Sequence, residues 1–265
     1  MDANVSTAES TPSQSATSIG SLLDSQELTA RFLRMAERSR REQAEREASL
    51  SAMRAAERTV QAQRWWQMSD VPPRFWHADL RLPGIVNPRH AAVRSSLLAT
   101  LNRPGLLALV GTTGTGKTWL SCGLVREFCR AGRGARYANT QDLLKSIRAT
   151  YQPKAPQSER DVVRPLQRMP LLVLDEFHVR ADTEWERTQL MGIIDARYAG
   201  MLTTIIVSNL QAQPLLESMG RAFEGRLRES GAIHECVWPS FRDDGQDRGA
   251  AIQYDTNGKP VWPAV

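Results

Sequence analysis

The spacing of apolar positions changes along the chain, and each change marks a different kind of segment. Residues 1–23 are rich in Ser, Thr, Ala and Gln and have little to bury, which predicts a disordered leader. At Asp24, with Glu27 three positions on in the spacing of a reciprocal cap, a helical pattern begins. Arg, Glu and Ala then continue without Pro or Gly to Gln63. Leu28, Phe32 and Met35 form a short apolar stripe. Nothing larger than Ala is apolar from Ala36 to Ser49, and Leu50, Met53 and Val60 resume the pattern weakly. The pattern predicts a helical arm over 24–69, closed by Trp65, Trp66 and the Pro72-Pro73 break, whose middle has no core to enter. Two readings stand: a solvated linker helix braced by Glu–Arg pairs, and a docking arm whose apolar ends bind another protein.

Beyond about Phe75, short apolar runs alternate with helical patterns. Strands are expected at Leu106–Val110, Ala135–Ala138, Leu171–Leu174, Thr203–Val207 and Ile233–Trp238. This alternation predicts an α/β domain over 70–242, a mostly parallel five-stranded sheet covered by helices on both faces. Residues 243–265 are polar with Gly, Asp and Pro, and are expected to form a flexible tail. No helical stretch of useful length follows the fifth strand, so no full helical lid domain is expected. The longest apolar runs are about half a membrane span, and no basic-flanked apolar segment opens the chain. Neither a membrane helix nor a secretory leader is therefore expected, and no membrane partner.

Composition adds two limits. The three cysteines, Cys122, Cys129 and Cys236, form no C-x-x-C pair, which excludes a disulfide framework and the common structural zinc sites and predicts a cytoplasmic protein. His77, His90, His178 and His234 lack ligand spacing and read as structural. A net charge of +5 suits a polyanionic partner without requiring one. Its excess is carried almost wholly by arginine, a bias that compositional drift explains. Lysine occurs only at Lys117, Lys145, Lys154 and Lys259, and the first of these lies in a phosphate motif.

That motif is Gly111-Thr112-Thr113-Gly114-Thr115-Gly116-Lys117-Thr118, a G-x-x-x-x-G-K-[ST] loop between a predicted strand and a predicted helix. Its glycines let backbone N–H groups converge on phosphates. Lys117 supplies charge to the β- and γ-phosphates, Thr118 offers a hydroxyl to Mg²⁺, and the helix N-terminus adds its dipole. ATP and Mg²⁺ are the expected cofactors. The strand ending in Asp175-Glu176 places two carboxylates where α/β sheets bind ligands. Asp175 is expected in the Mg²⁺ shell and Glu176 as the base that orients or deprotonates water. Asn209, after the strand Thr203–Val207, either touches the γ-phosphate or forms a turn.

Together these residues resemble the AAA+ ATPases, and more narrowly the DnaC-type helicase loaders and the IstB-type transposition helpers. The resemblance covers Asp70 to Arg242. Gly111–Thr118 is similar to the Walker A loop, Leu171–Glu176 to Walker B and Thr203–Asn209 to the sensor 1 strand. Val71-Pro72-Pro73-Arg74-Phe75 resembles the entry to the core, and Trp238-Pro239-Ser240-Phe241-Arg242 a signature near the end of the loaders, with Arg242 a candidate sensor arginine. The stretch Arg221–Arg228 resembles the arginine-finger helix. The resemblance implies that Arg226 completes the ATP site of a neighbouring copy, so that self-association and hydrolysis are coupled. Read by itself, Arg226 is a surface arginine.

The resemblance also implies single-stranded DNA contacts at Lys145, Arg148, Tyr151, Thr183 and Trp185, with Arg180 nearby. Aromatics there would stack on bases while cations track phosphates. On residue type alone, Tyr151 and Trp185 also suit the edge of a core. The leading expectation is an ATP-dependent helicase loader that grips a hexameric replicative helicase through its N-terminal arm. The alternative is a transposition helper on duplex DNA with a transposase. A third reading is a nucleotide-gated adaptor that hydrolyses ATP only as a slow reset.

Overall fold

The computed structural model describes residues 18–81, 88–178 and 184–241. The leader before Ser18 and the tail, including Arg242, lie outside the described residues, as do Arg180 and Thr183.

Five strands form one sheet in the order β2-β3-β4-β1-β5, with every neighbouring pair parallel. They are β1 (Leu106–Val110), β2 (Ala135–Asn139), β3 (Leu171–Asp175), β4 (Thr203–Val207) and β5 (Ala232–Glu235). The central strands β1, β3 and β4 are buried at every position, as parallel strands covered on both faces must be. Alternation splits their side chains between two layers. Leu107, Leu109, Leu171, Val173, Ile205 and Val207 pack under α2 (Pro88–Ala99) and α3 (Lys117–Arg130). Leu106, Ala108, Val110, Leu172, Leu174 and Ile206 pack under five helices on the other face. These are α4 (Thr140–Ala149), α5 (Glu159–Arg168), α6 (Glu184–Ala199), α7 (Ala212–Met219) and α8 (Arg221–Ser230). The expected α/β class is the observed one. The fifth strand is shorter than expected and ends at Glu235, because the chain after it turns onto the phosphate loop.

Helix α1 runs Ser18–Gln67. It therefore begins ahead of the Asp24 start that the capping pattern predicts. Residues 18–23 include Ile19, Leu22 and Leu23, and their one glycine, Gly20, weakens a helix without the clash a proline would bring. The chain divides into two compact units, Met1–Ala56 and Glu57–Val265. This division falls inside α1, ahead of the boundary expected at 69/70. The reason is Trp66: it is fully buried in the second unit's core together with Ala62, and Trp65 packs beside it. In the first unit, Leu28, Phe32, Leu33, Met35, Leu50 and Met53 are exposed, and Arg38–Glu42 and Arg41–Glu45 form i,i+4 pairs. No helix among the described residues is long and apolar enough to cross a membrane.

Candidate functional site

The chain leaves β1 at Val110 and turns through 111–116 before α3 begins at Lys117. Gly111 and Gly114 take φ of +121° and +81°, a region that side chains disfavour. A Cβ on Gly114 would also stand 2.1 Å from Ser240 Oγ. The segment after β5 holds the loop from behind. Trp238 Nε1 donates to the Thr115 carbonyl at 2.9 Å, and the Phe241 N–H donates to the Gly114 carbonyl at 2.8 Å. His90, from α2, packs against this segment, edge-on to Trp238 and Phe241 with centroids 5.5 and 5.6 Å away. Burial pushes the His90 pKa down to about 4, so its ring is neutral at pH 7.

Lys117 is buried, and its Nζ donates to the carbonyls of Gly111 (2.7 Å) and Thr112 (2.6 Å). The ammonium lies back along its own loop, whose other members Thr112 and Thr113 are exposed. The Thr118 hydroxyl lies beside the Asp175 carboxylate and favours its charged form. Asp175 is 4% exposed; one oxygen accepts the Glu176 N–H at 2.7 Å and the other accepts the Tyr137 hydroxyl at 2.8 Å. Burial raises the Asp175 pKa, a cost that a nearby cation would offset. A hydroxyl and a carboxylate oxygen side by side are hard donors, and they fit Mg²⁺.

Glu176 has a left-handed backbone, φ +51°, unusual for a residue with a side chain and typical of strain held at functional sites. Its carboxylate accepts a 2.7 Å hydrogen bond from Asn139 Nδ2. Asn139 ends β2 and caps α4 with the same side chain: its Oδ1 accepts the N–H groups of Gln141 and Asp142. One amide thus ties the helix start to the exposed carboxylate. The edges of β1, β3 and β4 are stitched together here, the Gly111 N–H donating to the Leu210 carbonyl and the Phe177 N–H to that of Val207. Asn209 stands exposed in the same turn.

Arg226, on α8, pairs with Asp195 of α6 at 3.0 Å and lies 5.6 Å over the Tyr198 ring. These partners are on α6, not on the phosphate loop of its own chain. Tyr151 and Trp185 come together edge-to-face at 6.2 Å, and the Arg148 guanidinium lies 4.7 Å over Trp185. Tyr151 is half exposed. Lys145 makes a local pair with Asp142 on the exposed face of α4. Thr183 cannot be placed with them, being outside the described residues.

Sequence reasoning misses two participants, Tyr137 and Asn139, while His90 takes the structural place expected of it by packing on Trp238 and Phe241. A signal exists for Asn139, a good N-cap directly after a strand, but its value depends on β2 lying beside β3. The histidines form no metal cluster: among the described residues no three His, Cys, Asp or Glu groups could hold an ion. The cysteine thiols are buried, and burial raises the pKa of each, Cys129 to about 12, which leaves them unreactive.

Comparison with known proteins gives this geometry a family. The family of IstB-like ATP binding proteins matches residues 2–222. An insertion-sequence (IS1162) putative ATP-binding protein of Pseudomonas fluorescens is 36% identical over 104 residues, 39% of this chain and 43% of that protein. The replicative helicase loader DnaC of Escherichia coli K12 is 23% identical over 133 residues, 50% of this chain and 54% of that protein. The chain thus spans about half the length of the curated relatives it matches. Among solved structures, a DnaC helicase loader superposes with a TM-score of 0.54 at 21% identity, covering 61% of this chain and 98% of that one, a likeness of fold. With the family matched over most of its length, this chain belongs to the IstB-like ATP binding proteins.

Proposed function

We propose that the chain is an ATP-dependent helicase loader that holds single-stranded DNA and a hexameric replicative helicase and uses ATP to time the helicase's deposition. The observation that carries this reading is the Tyr151–Trp185–Arg148 cluster. The half-exposed Tyr151 ring, with a partly buried indole and a guanidinium beside it, suits unpaired bases, each stack being worth about 1–3 kcal/mol whatever the base. A duplex offers no such bases.

In this reading the loop 111–118 takes the ATP phosphates, and Lys117 exchanges its two carbonyl partners for phosphate oxygens. Thr118 and Asp175 would hold Mg²⁺, which when bound neutralises phosphate charge. Tyr137 keeps Asp175 turned toward Thr118. Glu176 accepts the proton of the attacking water or orients it, and Asn209 borders the same edge. Since Asn139 holds Glu176 and caps α4, a shift of α4 on binding DNA would loosen the carboxylate, linking turnover to DNA. Arg226 leaves Asp195 to serve a neighbouring copy's ATP, so turnover depends on self-association. The exposed stripe Leu28, Phe32 and Met35 is the helicase tether.

The test is fluorescence anisotropy with labelled single-stranded and duplex oligonucleotides in ATP. Tight single-strand binding that falls about 10-fold or more in Tyr151→Ala/Trp185→Ala is expected, corresponding to the removal of one or two stacks. Equal or tighter duplex binding, insensitive to both changes, would contradict the reading. The 36% identity to an insertion-sequence protein favours one second reading, a transposition helper on duplex DNA. The same titration separates the two.

A further inference from the structure

Helix α5 presents Arg160, Arg164 and Arg168 at four-residue spacing, so the three side chains follow one another along one face at steps of about 6 Å. All three are exposed, and none forms a salt bridge among the described residues. The acids of α5 sit at its N-terminal end, and each has a hydrogen-bond partner outside the ladder. Glu159 accepts the Tyr151 hydroxyl at 2.5 Å, and Asp161 accepts the Ser158 N–H and hydroxyl in a capping box. Like charges at i,i+4 destabilise a helix by roughly 0.2–0.5 kcal/mol per pair, so the ladder costs the isolated chain and needs another explanation. Elsewhere the chain sets glutamate opposite arginine at this spacing, as in Arg38–Glu42 and Glu224–Arg228.

The ladder lines a groove shared with Val163, Ala196, Gly200 and Leu202, and with Glu159 at the end where the helix begins. Behind its wall Arg197 is fully buried with no carboxylate partner among its hydrogen bonds. Its guanidinium donates to the carbonyls of Leu166 (2.5 Å), Met169 (2.7 Å) and Thr203 and to the Thr204 hydroxyl (2.9 Å). Burial lowers the Arg197 pKa to about 9, which leaves it charged at pH 7. Three arginines therefore line one groove, with Arg197 buried behind its wall, and the carboxylates near them, Glu159 in the lining and Asp161 beside Arg160, stand at the N-terminal end of the helix. The Tyr151–Glu159 bond sets the start of the ladder next to the aromatic pair.

We infer that Arg160, Arg164 and Arg168 form a phosphate track along α5, which carries the backbone of a nucleic acid strand onward from the Tyr151–Trp185 cluster. Guanidinium forks match phosphate oxygens, and their contacts are indifferent to sequence. The inference rests on the reading of the chain as a DNA-binding ATPase.

The test uses the full chain with ATP, comparing wild type with R160Q/R164Q/R168Q and R160K/R164K/R168K. Binding of a labelled oligothymidine, and of a duplex in parallel, is followed over a salt series. The Gln variant is expected to weaken oligothymidine binding and to flatten the slope of log affinity against log salt by roughly 2, about 0.7 for each phosphate no longer neutralised. The Lys variant should restore most of the slope. The melting temperature and ATP affinity should be unchanged or higher in both. A wild-type slope in the Gln variant overturns the track while leaving the DNA-binding reading intact, and so does a loss confined to duplex. Failure of the wild-type chain to bind any DNA overturns the reading itself.

Discussion

Phe32 and Trp66 lie on the same helix and meet opposite environments. Phe32 is 73% exposed, with Leu28 and Met35 open beside it, whereas Trp66 is fully buried with the Arg126 guanidinium 5.6 Å from its ring centre. Both are large apolar side chains on a polar helix, and local sequence does not separate them. What separates them is the unit each belongs to. From Glu57 onward the helix has the sheet's own core to enter; before it, no described residue of that unit covers the stripe. The comparison teaches that an apolar residue on such a helix states a need for a partner without naming it. Where the chain meets the need, the residue supports the fold, and where it does not, the residue is free for another molecule.

The largest effect expected falls on the interior side. Glu176→Gln should lower ATP turnover by about 10²–10⁴-fold with ATP binding and the arm's interactions preserved, read by single-turnover hydrolysis beside nucleotide titration. Trp66→Ala should destabilise the second unit by about 3–5 kcal/mol in denaturant unfolding. A smaller effect there than at Phe32 would break the comparison outright.

The buried ring of His90 adds a pH signature. Its pKa falls from 6.5 to about 4 on folding, so the unfolded chain binds the extra proton between these values. Its contribution is complete above pH 6.5 and is lost as pH falls toward 4, about 3 kcal/mol in all. His90→Phe should remove that slope. Asp79, held down to about 2 by its hydrogen bond from Arg130, titrates largely below this window.

Asn139→Ala is expected to cost about 1 kcal/mol of stability through removal of the cap and to raise DNA-independent turnover, since Glu176 is no longer held. The smallest effect belongs to the arm. Leu28→Ser/Phe32→Ser/Met35→Ser should shift the stability of the second unit by less than about 0.5 kcal/mol and leave ATP affinity alone.

The sheet is legible in the sequence because each strand is a short apolar run and the phosphate loop sits between a strand and a helix in one continuous motif. Asp175 and Glu176 follow from the strand end. Tyr137 and Asn139 are not legible, because their work depends on β2 pairing with β3, and no local pattern states which strands are neighbours. His90 reads as structural, and it gains its packing partners only when residues 238–241 fold back onto the loop. The start of α1 is hidden because Asp24 and Glu27 have the spacing of a cap while residues 18–23 contain no proline to stop the helix earlier. Trp66 reads as a boundary because its partners lie far along the chain.

The most direct test of the proposed role uses the full chain and the hexameric replicative helicase of the same organism, mixed in ATP and resolved by size-exclusion chromatography with light scattering. The account predicts a stable complex with the wild-type chain and its loss in the Leu28→Ser/Phe32→Ser/Met35→Ser variant, which still binds ATP. Absence of any complex with the helicase, alongside stable assembly on duplex DNA with a transposase, would contradict it.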